Sequence, residues 1–234
     1  MENDSIFHVH TFRCKHAGDE EDKLYVEKAI ELGASEIVFT DHSPFPGNLF
    51  GNRMDIEQLP EYIDTIKVLK QMYVSDIDVK VGLEIEYLPK FQEYYKELYL
   101  SGQLDVMMLG QHFYENADGS YSFLNSDKRR EFVGLGEALV QGMQTGYFSV
   151  VAHPDRCFRR CKEWTEEMET VSNHIISVAQ KHGVILERNY SSMKRKKQYW
   201  NQFWERAAEI MQVEGYDAHS VAEMEETWKQ IHQK

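Results

Sequence analysis

The stretch IFHVH, residues 6–10, is a short apolar, β-prone run that ends on two histidines, and its ending recurs along the chain. EIVFTDH (36–42), VMMLGQH (106–112) and FSVVAH (148–153) each close on a histidine. VGLEIEY (81–87) carries Glu84 and Glu86 near its end, and VEGYDAH (213–219) closes on Asp217 and His219. Runs of this composition read as strands. Polar residues at the C-terminal ends of parallel strands collect on one face of an α/β barrel, so distant positions are brought into one site.

Working outward, the strand-like runs fall at about 5–10, 36–41, 79–87, 105–111, 148–152, 183–188 and 211–216. Segments with helical periodicity or composition separate them, at about 20–33, 57–74, 90–101, 127–145, 164–182 and 196–210. Gly33, Gly102, Gly146 and Gly183 stand near the ends of these segments, as helix C-caps do. Alternation of this kind implies right-handed crossovers and a parallel sheet. With ligand-type residues at nearly every strand end, a closed barrel is expected rather than an open sheet, which gathers its ligands at one switch point. No linker, repeat or low-complexity tract divides the chain, so residues 1–234 are read as a single domain. The longer stretches 43–55 and 113–127 are candidates for walls or lids.

The formal net charge is −13 over 234 residues, which argues against nonspecific binding to nucleic-acid polymers or anionic membranes. No apolar run approaches the length of a membrane span, and the first residues lack a signal-peptide pattern, so a cytoplasmic location is expected. Three cysteines, Cys14, Cys157 and Cys161, make no closed disulfide framework. No pattern sets an oligomeric state.

His8 and His10 stand two apart, which on a strand sends both side chains to one side. Imidazoles and carboxylates bind zinc, iron or manganese, so the set points to a hydrolase with two or three divalent transition metals. Glu84 lies deeper in its strand than Glu86 and is the carboxylate suited to bridging two cations. Asp41 reads either as a partner that sets a neighbouring imidazole's tautomer or as a turn-forming acid. His16, in TFRCKHAG (11–18), lies where a loop can turn back over the barrel mouth. Taken singly, His112 and His153 read as core histidines, and only the joint arrangement makes them ligands. Seven of the ten histidines belong to the set, while His174, His182 and His232 fall on helical segments or the tail.

In this order, HVH (8–10), TDH (40–42), GLEIEY (82–87), GQH (110–112), AHPD (152–155) and DAH (217–219) resemble the motifs of the polymerase and histidinol phosphatase (PHP) superfamily. HVHTFRCKHA (8–17), TDHSPFP (40–46) and LERNYSSMKRK (186–196) look most like its stand-alone histidinol-phosphate phosphatases. The resemblance implies a distorted (β/α)7 TIM-like barrel and a trinuclear metal site. His8, His10, Glu84 and Asp217 would hold the first metal; Glu84 would bridge to a second held by His112 and His153; His16, His42 and His219 would hold a third. It implies hydrolysis of L-histidinol phosphate to L-histidinol and phosphate, a step of histidine biosynthesis, through attack by a metal-bridging hydroxide. Glu84, Asp217 and His219 take the catalytic roles in that scheme.

For the small phosphorylated substrate, the matching basic positions are Arg159, Arg160 and Lys194, with Asn189 beside them and Arg195 a close substitute. Lys194 stands where the family commonly has an arginine. Family members often read E-I-N-T-S-G after the sixth strand, whereas this chain has Glu187, Arg188, Asn189, Tyr190, Ser191 and Ser192. That departure moves the substrate question to this segment. Phe45, Phe113 and Tyr114 are candidate aromatic walls, or ordinary packing residues. The alternatives are a PHP phosphoesterase for another monoester or a small nucleotide or diester, a metal-dependent amidohydrolase, and a metal-binding module without turnover. The amidohydrolase class commonly bridges its metals with a modified lysine, where this chain offers Glu84.

Overall fold

Every one of the seven expected strands is present in the computed structural model, which describes residues 4–124, 127–195 and 199–232. They are β1 (Ser5–Val9), β2 (Glu36–His42), β3 (Asp78–Ile85), β4 (Val106–Leu109), β5 (Val150–Val151), β6 (Ile185–Asn189) and β7 (Gln212–Ala218). The strands close in sequential order into an α/β, TIM-like barrel of parallel strands. The helices are α1 (Asp22–Leu32), α2 (Leu59–Met72), α3 (Gln92–Ser101), α4 (Lys128–Gln144), α5 (Glu166–His182), α6 (Tyr190–Lys194), α7 (Asn201–Arg206) and α8 (Val221–His232). Two of these go beyond the sequence reading. The five residues of α6 are too few for periodicity to show, and α8 lies in what reads as a tail. Lys196 and Lys197 of the basic run fall outside the described residues. Among the described residues no helix is long and apolar enough to cross a membrane.

Helix ends follow local chemistry. Gly33 and Gly183 close α1 and α5 in the left-handed conformation, at φ 85° and 66°, where a side chain would be strained. Thr165 starts α5 by accepting a hydrogen bond from the Met168 amide.

Contacts divide the chain into two compact units. One comprises Met1–Glu84, Glu97–Met107 and Glu214–Lys234, and the other comprises Ile85–Lys96 and Met108–Val213. In the first, Ile6, Phe7, Ile37, Phe39, Val81 and Leu83 are buried along the strands, and Tyr25, Val26, Tyr62 and Ile66 are buried on α1 and α2. In the second, Leu109, Val151 and Leu186 are buried on strands, with Leu135, Met143, Ile175 and Phe203 on helices. Phe45 and Phe113 are buried and pack edge-on against Phe50 and Tyr121, which makes them packing residues of their own units. Trp200 and Trp204 are likewise packed inward, their N–H groups engaged by Asp155 and the Phe158 carbonyl.

The first strand does not run as simple alternation predicts. Phe7 pairs with Val38 and Val9 pairs with Phe39, so His8 is an extra residue, a β-bulge. On its other side Phe7 pairs with Gly215 and Val9 with Ala218, so β7 has its own extra residue at the same level. His8 and Asp217 both take positive φ, 72° and 50°.

Glycine is required at 82 for a different reason. A Cβ there would lie 2.8 Å from the Val106 carbonyl oxygen and 3.1 Å from that of Phe39, so β2, β3 and β4 approach too closely for a side chain. Gly82→Ala is expected to cost roughly 1–3 kcal/mol, the range for overpacking a tight interior, and to lower the melting temperature in a calorimetric scan. A melting temperature equal to that of the unaltered chain would show that the strands separate without cost.

Candidate metal centre

The bulges bring the first unit's imidazoles and carboxylates together. His8 Nε2 and His10 Nε2 face each other at 2.9 Å. Glu84 Oε2 lies 3.6 Å from the former and 3.7 Å from the latter, and Asp217 Oδ1 lies at 3.8 and 3.5 Å. Glu84 Oε2 also lies 3.0 Å from His42 Nδ1. His16 Nε2 and His219 Nε2 form a second facing pair at 2.9 Å. Within this unit the ligand atoms of His8, His10 and Asp217 lie within 4.8 Å of one another, as do those of His10, His42 and Glu84, and those of His16, His42 and His219. The ligand atoms of His10, Cys14 and His219 also lie within 4.8 Å of one another.

The residues that orient these rings come from turns the sequence does not advertise. The Cys14 carbonyl contacts His16 Nδ1 at 2.8 Å, and the Asp217 carbonyl contacts His219 Nδ1 at 3.1 Å. These contacts fix Nε2 as the outward nitrogen. Asp41 is buried, accepts hydrogen bonds from the amide and hydroxyl of Thr11, and stands 3.7 Å from His10 Nδ1. It thus anchors the residue after His10, a position in keeping with an imidazole partner. Arg13 ties the 12–14 turn between His10 and His16 to α1 and α2, donating to Asp22 and Glu61 at 2.8–2.9 Å.

Electrostatics follow from burial and crowding. Burial alone would lower the His10 pKa, but contacts with Asp217 and Asp41 and the Glu84 charge raise it to about 8. Burial and the neighbouring His10 charge bring His219 down to about 3. Burial pushes the Asp217 carboxyl up, yet His10, His8 and His219 together hold it well below the usual carboxylate range.

In the second unit, His112 Nδ1 contacts Glu86 Oε1 at 2.9 Å, and the His112 and His153 rings lie 5.2 Å apart. His153 has φ 32°, and its amide donates to the buried Glu187 carboxylate at 2.8 Å. Among the predicted substrate residues, Arg159 donates to Glu131 and to the His112 carbonyl. Asn189 is buried as the cap of α6, accepting from the Ser192 amide and donating to Glu187. Arg160 and Lys194 are exposed. Arg159 reaches only the backbone of His112, whereas Arg156 approaches an imidazole ring, its Nη1 3.5 Å from His153 Nε2. Sequence reading passed over it. The helical spacing of Arg156 from His153 in HPDR was the available signal, because one turn returns a side chain to the same side.

The donor set fits divalent transition ions. It is built of imidazole nitrogens and carboxylate oxygens, with ring nitrogens converging at separations that ligands of one ion adopt and opposite ring nitrogens engaged by carbonyls or carboxylates.

Comparison with known proteins bears on the same residues. The PHP domain family model matches residues 7–191. A probable histidinol-phosphatase of Deinococcus radiodurans is 31% identical over 158 residues, covering 63% of this chain and 59% of the relative. The chain thus spans less than two thirds of that relative's length. A candidate histidinol phosphatase from Listeria monocytogenes shares the fold with a TM-score of 0.80 at 19% identity, over 97% of this chain and 99% of that one. The Lactococcus lactis histidinol phosphate phosphatase, solved with zinc, L-histidinol and phosphate, shares it with a TM-score of 0.71 at 21% identity, over 97% and 93%. At these identities the two structures speak for the fold.

Metal removal should be visible in stability. Ions that bind only the folded chain stabilise it by about 2.7 kcal/mol at a hundredfold excess over the dissociation constant, roughly 5–10 °C for a chain of this size. Chelation should lower the melting temperature by that order and zinc or manganese should restore it. A melting curve indifferent to both would argue that the cluster holds no ion.

Proposed function

Because the chain belongs to the PHP domain family, we propose that it is a metal-dependent phosphoric monoester hydrolase whose substrate is L-histidinol phosphate, acting in histidine biosynthesis. One observation carries this reading: imidazoles from separate strands and loops present facing Nε2 atoms while carbonyls engage Nδ1, as at His16 and His219. The name of the Deinococcus relative supports the choice of substrate.

His8, His10, Glu84 and Asp217 would hold one ion; Glu84, His112 and His153 a second; His16, His42 and His219 a third. Zinc, iron and manganese all suit these donors. Bound divalent ions supply Lewis acidity, which lowers the pKa of water and offsets the charge of the phosphoryl oxygens. The protein's own work is orientation. Asp41 and Thr11 set the backbone after His10, Cys14 and Asp217 engage His16 and His219 through their carbonyls, and Glu86 engages His112. In the reaction the oxygen of water forms the new bond to phosphorus, the ester P–O bond breaks, and the leaving alkoxide of histidinol takes up a proton. Asp217, kept ionised, or His219, neutral, would relay that proton from water rather than supply one of its own. Arg156 is proposed to bind the phosphoryl group, with Lys194 as a further cation, and Arg159 to hold the segment that carries His112.

Glu84→Gln should retain the circular dichroism spectrum, lose bound metal and reduce turnover of L-histidinol phosphate at least a hundredfold; unchanged turnover would remove Glu84 from the bridge. Assay of other monoesters and a diester completes the test. Faster cleavage of the diester would reject the monoesterase reading, and stoichiometric metal without hydrolysis of any ester would favour a binding module.

The two arginines separate by readout. Loss of a charge-assisted hydrogen bond costs about 1.5–3 kcal/mol. Arg156→Ala should therefore raise KM and weaken inhibition by inorganic phosphate by roughly ten- to a hundredfold, with a near-constant melting temperature. Arg159→Ala should lower the melting temperature, because it breaks the Glu131 and His112 contacts. The reverse pattern would return Arg159 to the phosphate.

A further inference from the structure

The segment 187–192, where the chain departs from E-I-N-T-S-G, divides by the pleat of β6. Glu187 and Asn189 are fully buried, whereas Arg188 between them is exposed on the opposite side. Parallel strands in α/β folds are covered on both faces and read as apolar runs, so a guanidinium on the outward face calls for an explanation. It opens into a pocket of about 530 Å³ lined by Arg188, Asn201, Trp204, Glu205, Ala208, Ile210 and Gln212, all within the second unit. That volume suits a small organic ligand.

Charges of both signs line the pocket. Arg188 donates to Tyr199 Oη at 2.8 Å and lies 5.7 Å from the Trp204 ring centroid, and among the described residues it has no carboxylate partner. Glu205, on the same pocket wall, pairs with no cation among the described residues, and the two do not pair with each other. Opposite charges that share a pocket yet stay apart complement a ligand carrying both. Trp204 and Ile210 are almost fully buried and supply an apolar wall between them. Trp204 is held in place, its indole N–H donating to Asp155 Oδ2 at 3.2 Å and its ring stacking on Tyr199.

We propose that this pocket binds a free α-amino acid, with Arg188 taking the carboxylate, Glu205 the ammonium and Trp204 with Ile210 the side chain. The proposal is independent of the hydrolytic reading, since none of these residues belongs to the metal centre.

The test uses calorimetry on the full chain, with its tryptophan fluorescence, to which Trp204 contributes, as a second signal. The probes are glycine, L-leucine, L-phenylalanine and L-glutamine, each compared with its amide and its N-acetyl derivative. At least one free amino acid should give a saturable change. Its amide and N-acetyl forms should bind at least tenfold more weakly, and so should Arg188→Gln and Glu205→Gln chains, with hydrolysis and metal content unaltered. Absence of saturation with all four probes overturns the proposal, as does equal binding by the blocked derivatives or undiminished binding by Arg188→Gln.

Discussion

The paired bulges at His8 and Asp217 are the constraint on which the metal centre depends. Each residue sits in the left-handed region, which costs a non-glycine residue about 1–3 kcal/mol and persists only where surroundings over-determine it. The bulges shift register. Phe7 and Val9, which alternation would place on one side, pair with the consecutive residues Val38 and Phe39 of β2. At this level His8 and His10 meet at Nε2, with Asp217 Oδ1 within 4 Å of both. A regular strand pair has no residue to spare at this level, and the two residues that carry the strain, His8 and Asp217, are also members of the cluster.

Holding that geometry poses a charge problem that is solved in layers. Glu84, Asp41 and Asp217 are buried in a strongly acidic chain, an arrangement that burial alone opposes. Part of the answer lies in the rings, whose proximity keeps Asp217 ionised. Part lies behind them, where Thr11 donates twice to Asp41, and Arg13 joins Asp22 and Glu61 to the turn between His10 and His16. Dense imidazoles repel when protonated, and the low His219 pKa expresses that repulsion together with burial. A cluster so arranged is best satisfied by cations that accept lone pairs from neutral rings.

How much of this was legible in the sequence depends on the range of the interaction. The strands could be read because their apolar runs and terminal histidines are local features, and seven runs became seven strands. The bulge could not be read, because IFHVH alternates acceptably by itself and only its pairing with β2 and β7 reveals the extra residue. The basic residues show the same limit. Arg156 and Arg159 stand three apart around one tight turn, and which of them approaches an imidazole ring is decided by Glu131 and the His112 carbonyl, both distant in sequence, which claim Arg159. Asn189 likewise looks like a substrate residue by position but is occupied in capping α6.

The departure at 187–192 gains a physical account from the same period-two geometry. A change of residue type on a barrel strand bears on the interior only if its side chain points inward. Glu187 does, fastening the His153 amide in its left-handed turn, and Asn189 does, donating to Glu187. Arg188 faces outward onto Tyr199 and Trp204. The interior side of β6 is therefore committed to supporting a ligand-bearing turn, while the residue that looks most foreign to the segment lies on the other side. Differences in substrate preference should then be sought on the loops beyond β6 and in the turn carrying Arg156. Arg188, exposed on the outer side, takes no part in that support.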